Sequence, residues 1–118
     1  MLGFELSEEQ QMLRELARDF ARENVRPHAE RWDNESEFPL QAIQQAHELG
    51  LTNLHIPEEY GGPGMGVLEE AIVSEEMSWG DPGFGTAQYS NGLTAAPIIT
   101  GGTEAVSYTH LTLPTIAV

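Results

Sequence analysis

Residues 48–66, ELGLTNLHIPEEYGGPGMG, constrain this chain more than any other stretch. Helical periodicity runs up to them and resumes after them, so they join two helices. Gly50 is a natural C-terminal stop for the first. Leu51 to Ile56 is short and apolar. Pro57 then opens a Pro-Glu-Glu-Tyr-Gly-Gly turn, and Gly61, Gly62, Gly64 and Gly66 make a loop able to reach positive φ. A plain helix–helix linker needs far less specified chemistry, so the turn points to a particular packing of the helices it connects.

The flanking sequence is helical in pattern. Ser7-Glu8-Glu9-Gln10 reads as a capping box, with Glu8 and Glu9 suited to the positive end of a helix dipole. Leu13, Leu16, Ala17, Phe20 and Ala21 form an apolar stripe at helical spacing, and Arg14, Arg18, Arg22 and Arg26 descend another face in four-residue steps. Pro27 predicts a kink near Asn24, with the pattern resuming through Ala29 to Trp32. Pro39 suits the first position of a second helix whose apolar face is Leu40, Ile43, Ala46 and Leu49. A third helix is predicted over residues 67–79, with Leu68, Ala71, Ile72 and Met77 inward. A fourth is predicted over 85–99, with a break at Pro97. There is no convincing strand and no internal repeat; the fold class is an all-α bundle. Residues 106–118 differ from the rest. Their β-branched alternation resembles a translated sequencing adapter, and the expectation for 105–118 is a non-native or disordered tail, at most a frayed strand or coil.

Composition excludes several function classes. The 118 residues allow one small domain, and 40% hydrophobic content allows a core. The net charge is −14, from 19 acidic and five basic residues, and all the bases are arginines between positions 14 and 31. Nucleic-acid binding and docking on anionic membranes both need clustered cations, and neither is expected. Residues 82–103 lack charge but are too polar and glycine-broken for a spanning helix, so no membrane insertion is expected. The first residues have no signal-peptide pattern, and without cysteine there is no disulfide or thiolate chemistry, which favours an intracellular protein. The Asn34-Glu35-Ser36 sequon is then a chance match.

Constellations that would carry chemistry are sparse. Gly64-Met65-Gly66 before the third helix invites a phosphate-site reading, but a dinucleotide fingerprint or P-loop is absent. A turn with positive-φ glycines is the stronger reading. The pairs Glu8-Glu9, Glu58-Glu59, Glu69-Glu70 and Glu75-Glu76 read as solvated surface charge, since adjacent helical carboxylates diverge. Glu58 alone suits a role in the turn's hydrogen bonding. His28, His47, His55 and His110 lack metal-ligand spacing and read as structural. The arginine stripe reads as a solvated face paired with Glu15, Glu23 and Glu30, or as a docking face. Trp32, Trp79, Phe84 and Tyr89 suit a pocket wall, with core packing the default for the two tryptophans.

LSEEQQMLRELARDFARENVRPHAERWD, FPLQAIQQAHELGL, HIPEEYGGPGMG and AIVSEEMSWGDPGFGTAQYSNGLTAAPIITGGTE together resemble the N-terminal helical domain of the acyl-CoA dehydrogenases, over residues 4–104. The medium- or short-chain branch is the nearest in pattern. The resemblance implies a domain of four to five helices over residues 1–104, which in whole family members packs against a middle β-domain and a C-terminal four-helix domain. It implies FAD between those two domains and a neighbouring subunit of a homotetramer. It also implies α,β-dehydrogenation of an acyl-CoA by a glutamate base with hydride transfer to flavin, and an electron-transfer flavoprotein as acceptor; the cysteine-free, signal-free chain is expected to be cytoplasmic. In the family pattern the base and the flavin motifs fall beyond residue 118. No catalytic, cofactor-binding or metal residue is therefore assigned, and the isolated chain is expected to be inactive, unable to hold FAD, and marginally stable. The substrate-binding residues carried over are Gly85, Thr86, Tyr89 and Leu93, one wall of the acyl pocket, with 86, 89 and 93 on one helical face. Tyr89 would shorten that pocket toward short, branched or aromatic acyl groups, unless it merely packs in the core. Two other functions stay open: a non-catalytic helical interaction module, and a related acyl-CoA oxidase or flavin monooxygenase.

Overall fold

The computed structural model describes the backbone of residues 3–116 and side chains through residue 112; Met1, Leu2 and the last two residues of the expected tail lie outside the described residues. Among the described residues every regular element is helical. Helix α1 (Glu8–Phe20) starts with the capping box read from the sequence. The Ser7 amide donates to Gln10 Oε1 at 3.0 Å, and the Gln10 amide donates to Ser7 Oγ at 3.2 Å. The kink before Pro27 takes a specific form. Proline offers no amide and crowds the carbonyl four residues back. The chain widens into a π-turn over Ala21–Val25, tightens into a 3₁₀ turn over Arg26–His28, and continues as α2 (Ala29–Asn34).

Helix α3 (Leu40–Glu48) has Pro39 as its N-cap and ends as Gly50 predicts. Gly50 sits at φ 76°, its amide donates to His47 O and the Leu51 amide donates to Ala46 O. That pair of bonds is a Schellman motif. The inward face differs from the expected one: Ala42 and Ala46 are buried and Ile43 half-buried, while Leu40 and Leu49 are exposed. At nine residues α3 presents only a narrow face to the core, and its two end leucines project past it.

The linker is the most heavily bonded non-helical stretch. Leu51, Leu54 and Ile56 are fully or almost fully buried, Glu58–Tyr60 form a 3₁₀ turn, and the amides of Gly64 and Met65 donate to Ile56 O (2.9 Å) and Leu54 O (2.8 Å). Glu58 takes part through its carbonyl, which accepts from the Gly61 amide at 2.9 Å. A Cβ on Gly62 would lie 2.1 Å from Ile56 O, so this position is closed to any side chain.

Helix α4 (Val67–Gly80) buries Ile72, Val73, Glu76, Met77 and Gly80; the expected Leu68 and Ala71 face outward instead. Helix α5 (Pro82–Gly101) starts at N-cap Asp81, whose Oδ2 accepts from the Phe84 amide at 2.9 Å, and runs through Pro97 without breaking. Ala95, Ile98 and Ile99 are anchored on both sides of that proline in a small core with Ile56, Tyr60 and Leu111. The larger core joins α1 to α5 through Ala17, Phe20, Val25, Trp32, Ala46, Leu54, Val73, Met77 and Phe84, with the Trp32 and Phe84 rings stacked at 5.7 Å. Helix α5 thus threads both cores. Residues 104–116 form α6, in place of the frayed strand or coil expected there. Thr103 starts it, its carbonyl accepting from the Ser107 amide and its hydroxyl from the Val106 amide, and Leu111 is buried against α5 and the 3₁₀ turn. Local β-propensity yields to that burial.

Candidate functional site

The four residues Gly85, Thr86, Tyr89 and Leu93 meet in one groove between α4 and α5, of about 420 Å³. From α5, the backbone of Gly85, the side of Tyr89 and the exposed Leu93 form one wall. From α4, Val67, Glu70, Ala71, Ser74 and Ser78 form the other. The sequence reading missed the α4 wall. Its trace was present as a run of small residues, Ala71, Ser74 and Ser78, at helical spacing opposite the α5 glycines.

Two glycines set the depth of the groove. A Cβ on Gly85 would lie 2.3 Å from Ser78 Oγ, and one on Gly92 would lie 2.6 Å from Glu70 Oε1 and 3.0 Å from His55 Cε1. The seven-residue spacing puts both on the α4-facing side of α5. Further along, the Gln88 side-chain Nε2 donates to Leu51 O at 2.7 Å and ties α5 to the linker. The Thr86 hydroxyl donates to Pro82 O at 3.1 Å, one turn back, which leaves its methyl group as the apolar surface. Tyr89 is half-buried at the groove and does not join either core.

Among the described residues Glu70 is the one charged member of this lining. Its Oε2 lies 2.7 Å from His55 Nδ1, a close contact out of line for a hydrogen bond, and His55 Nε2 is buried with no hydrogen-bond partner. His55 is thus structural only in part, since its ring backs a carboxylate that opens on the groove.

The start of α4 does not hold an anion. Glu69 folds back onto it: hydrogen bonds from the Gln10 side chain and from the Glu69 and Gly66 amides keep its carboxyl below the usual glutamate range. The amides a phosphate would need are already used, and a negative charge already sits there.

The arginine stripe has different partners from those expected. Glu76, 2% exposed, lies between Arg14 (3.3 Å) and Arg18, so its reading as solvated charge is wrong. Arg22 pairs with Asp19 and Arg31 with Glu37, in place of Glu15, Glu23 and Glu30. The guanidinium carbons of Arg18 and Arg26 lie 4.0 and 4.5 Å from the Trp79 ring centre, so Trp79 is a surface clamp and only Trp32 is core. The cleft along this face sets Arg14, Arg18 and Arg22 against Glu5, Glu15, Asp19 and Glu76, so it carries no net positive charge. Beside the small core, burial and the Glu104 and Glu59 carboxylates push the Tyr60 phenol above its usual range. Among the described residues no group of three or more His, Asp or Glu could hold a metal, and no helix is long and apolar enough to cross a membrane.

Comparison with known proteins bears on this geometry. The family model described as "Acyl-CoA dehydrogenase, N-terminal domain" matches residues 7–113. A probable acyl-CoA dehydrogenase of Bacillus subtilis is 42% identical over 113 residues, covering 94% of this chain and 30% of the relative. A probable mitochondrial medium-chain specific acyl-CoA dehydrogenase of Caenorhabditis briggsae is 41% identical over 103 residues, covering 87% of this chain and 25% of the relative. Among solved structures, a glutaryl-coenzyme A dehydrogenase in complex with glutaryl-CoA superposes with a TM-score of 0.89 at 37% identity, covering 97% of this chain and 30% of that one. The chain therefore spans between a quarter and a third of the length of these relatives.

Proposed function

Since this chain belongs to the acyl-CoA dehydrogenase family, through the family's N-terminal helical domain, we propose that it supplies one wall of the acyl pocket in an enzyme that α,β-dehydrogenates acyl-CoA thioesters. The observation that carries this reading is the α4–α5 groove, which gathers Gly85, Thr86, Tyr89 and Leu93. Its chemistry suits an acyl chain. The wall offers backbone, methyl, ring and isobutyl surface, while the nearby hydroxyl of Thr86 is spent within its own helix. Tyr89 lines it and shortens it, which favours short, branched or aromatic acyl groups.

FAD does not fit the described residues of this chain. A flavin dinucleotide needs amides or cations for its phosphates. The glycine-flanked start of α4 is filled by the Glu69 carboxylate, and all the arginines lie between positions 14 and 31. What these residues do is shape and dry one side of the acyl chain. In the whole enzyme an electron-transfer flavoprotein would serve as acceptor and a homotetramer as the assembly.

A titration of the chain with a short acyl-CoA, followed by amide NMR, tests the reading. Shifts concentrated at Thr86, Tyr89 and Leu93, and weakened by Leu93→Ala, are the expected result; Leu93 is 59% exposed, so that change does not disturb the core. Shifts confined to the arginine face of α1 would sink it.

A further inference from the structure

Among the described residues the groove is lined by one charged residue, Glu70, and by no arginine or lysine. That carboxylate is held in place. His55 Nδ1 lies 2.7 Å from Oε2, and the Gly92 backbone passes so close that a Cβ there would stand 2.6 Å from Oε1 and 3.0 Å from the His55 ring. Tyr89 closes the same corner, 3.4 Å from that point. Both partners are mostly buried, 15% and 13% exposed, while the groove the carboxylate faces is open to solvent and its salt, with Val67 81% and Leu93 59% exposed.

We propose that Glu70 makes this groove reject acyl groups that end in a carboxylate, and that His55 and Gly92 act as positioning residues that hold it at the inner corner. The proposal rests on the acyl-pocket reading above. A space of 420 Å³ equals a cube about 7.5 Å on a side, so a second negative charge placed anywhere in it lies within strong Coulomb reach of Glu70. The lining supplies no arginine, lysine or backbone anion nest to offset that repulsion. A neutral alkyl end of the same length meets only van der Waals surface. Discrimination of this kind works by repelling the wrong ligand.

The test compares pentanoyl-CoA with glutaryl-CoA, which have equal acyl length and differ by one terminal carboxylate; the phosphates of coenzyme A are common to both and cancel. The 118-residue chain is titrated with each at about pH 8, where the terminal carboxylate of the ligand is ionised, and read by the amide shifts of Thr86 and Leu93. Glutaryl-CoA is expected to bind at least about tenfold more weakly. The gap should narrow as salt is raised, which a steric cause would not produce. In Glu70→Gln it should shrink to within about twofold. Equal binding of the two thioesters to the wild type, or a gap indifferent to salt, overturns the role of Glu70 and leaves the acyl groove standing. Binding of neither at the groove overturns the acyl-pocket reading, and this inference with it. The wild-type ratio and its salt dependence need no variant, so a poorly folding Glu70→Gln leaves the test intact.

Discussion

Replacing Glu76 with glutamine takes one charge from between Arg14 and Arg18 and leaves two guanidiniums facing a neutral amide. Both arginines reach water, at 58% and 32% exposed, so the cost is below that of a fully buried pair: about 1–3 kcal/mol, read as a lower denaturant midpoint. Arg22→Ala, which breaks a pair exposed on both sides, should cost less than about 0.5 kcal/mol in the same assay. Neither arrangement was legible in the sequence, where Glu15, Glu23 and Glu30 stood nearest the stripe. Two adjacent glutamates look alike as letters. The helical phase distinguishes them, because Glu76 falls on the stripe of Ile72, Val73, Met77 and Gly80 while Glu75 falls off it. Reading Leu68 and Ala71 as inward set that phase wrong, and the buried carboxylate was lost with it. Gly85, Thr86, Tyr89 and Leu93 came from the family resemblance, and spacing added only that 86, 89 and 93 share a helical face; they line one groove.

The elements are joined by bonds that sequence motifs announce unevenly. The capping box of α1, the glycine stop of α3 and the glycine turn after Pro57 were all legible, since each depends on residues a few positions apart. Gly62→Ala tests the tightest of them. It forces a Cβ onto Ile56 O and should destabilise the chain by at least about 2 kcal/mol, measured by thermal or chemical denaturation. The tie between α1 and α4 is a longer-range matter and is pH-dependent. Glu69 has a lowered folded-state pKa, chiefly through the hydrogen bond from Gln10 and then through backbone amides. A depressed carboxyl stabilises fully above its unfolded value, and that stabilisation is lost as pH falls through the lower folded value. Wild type should therefore lose melting temperature on acidification below the ordinary glutamate range more steeply than Glu69→Gln; parallel curves would remove the α4 start from the account. That Gln10 would find Glu69, 59 positions away, could not be read from local pattern.

On the scale of the whole molecule the shape is a slab, 42 × 42 × 20 Å, with a radius of gyration of 14.8 Å against about 13.5 Å for a compact chain of this length. A slab buries less per residue, and here it holds two cores instead of one. The smaller depends on Leu111 of α6, in the stretch whose sequence looks least like the rest. Leu111→Ala should cost about 2–4 kcal/mol if that helix is part of the folded unit, and nothing measurable if it is a dispensable tail. Phe4, Met12 and Leu16 remain exposed on the α1 side, consistent with a unit made to be covered. The sequence foretold helices but not this flatness, since apolar periodicity says which side turns inward and not how many centres the inward sides converge on. The two tryptophans divide along the same line: Trp32 is sealed in the main core against Phe84, and Trp79 stands at the rim between two guanidiniums. Their emission should separate accordingly, a blue, quencher-resistant component from Trp32 and a redder, acrylamide-accessible one from Trp79. One unlabelled fluorescence spectrum would then report on the interior and on the arginine face at once, and would show which of the two a binding partner touches.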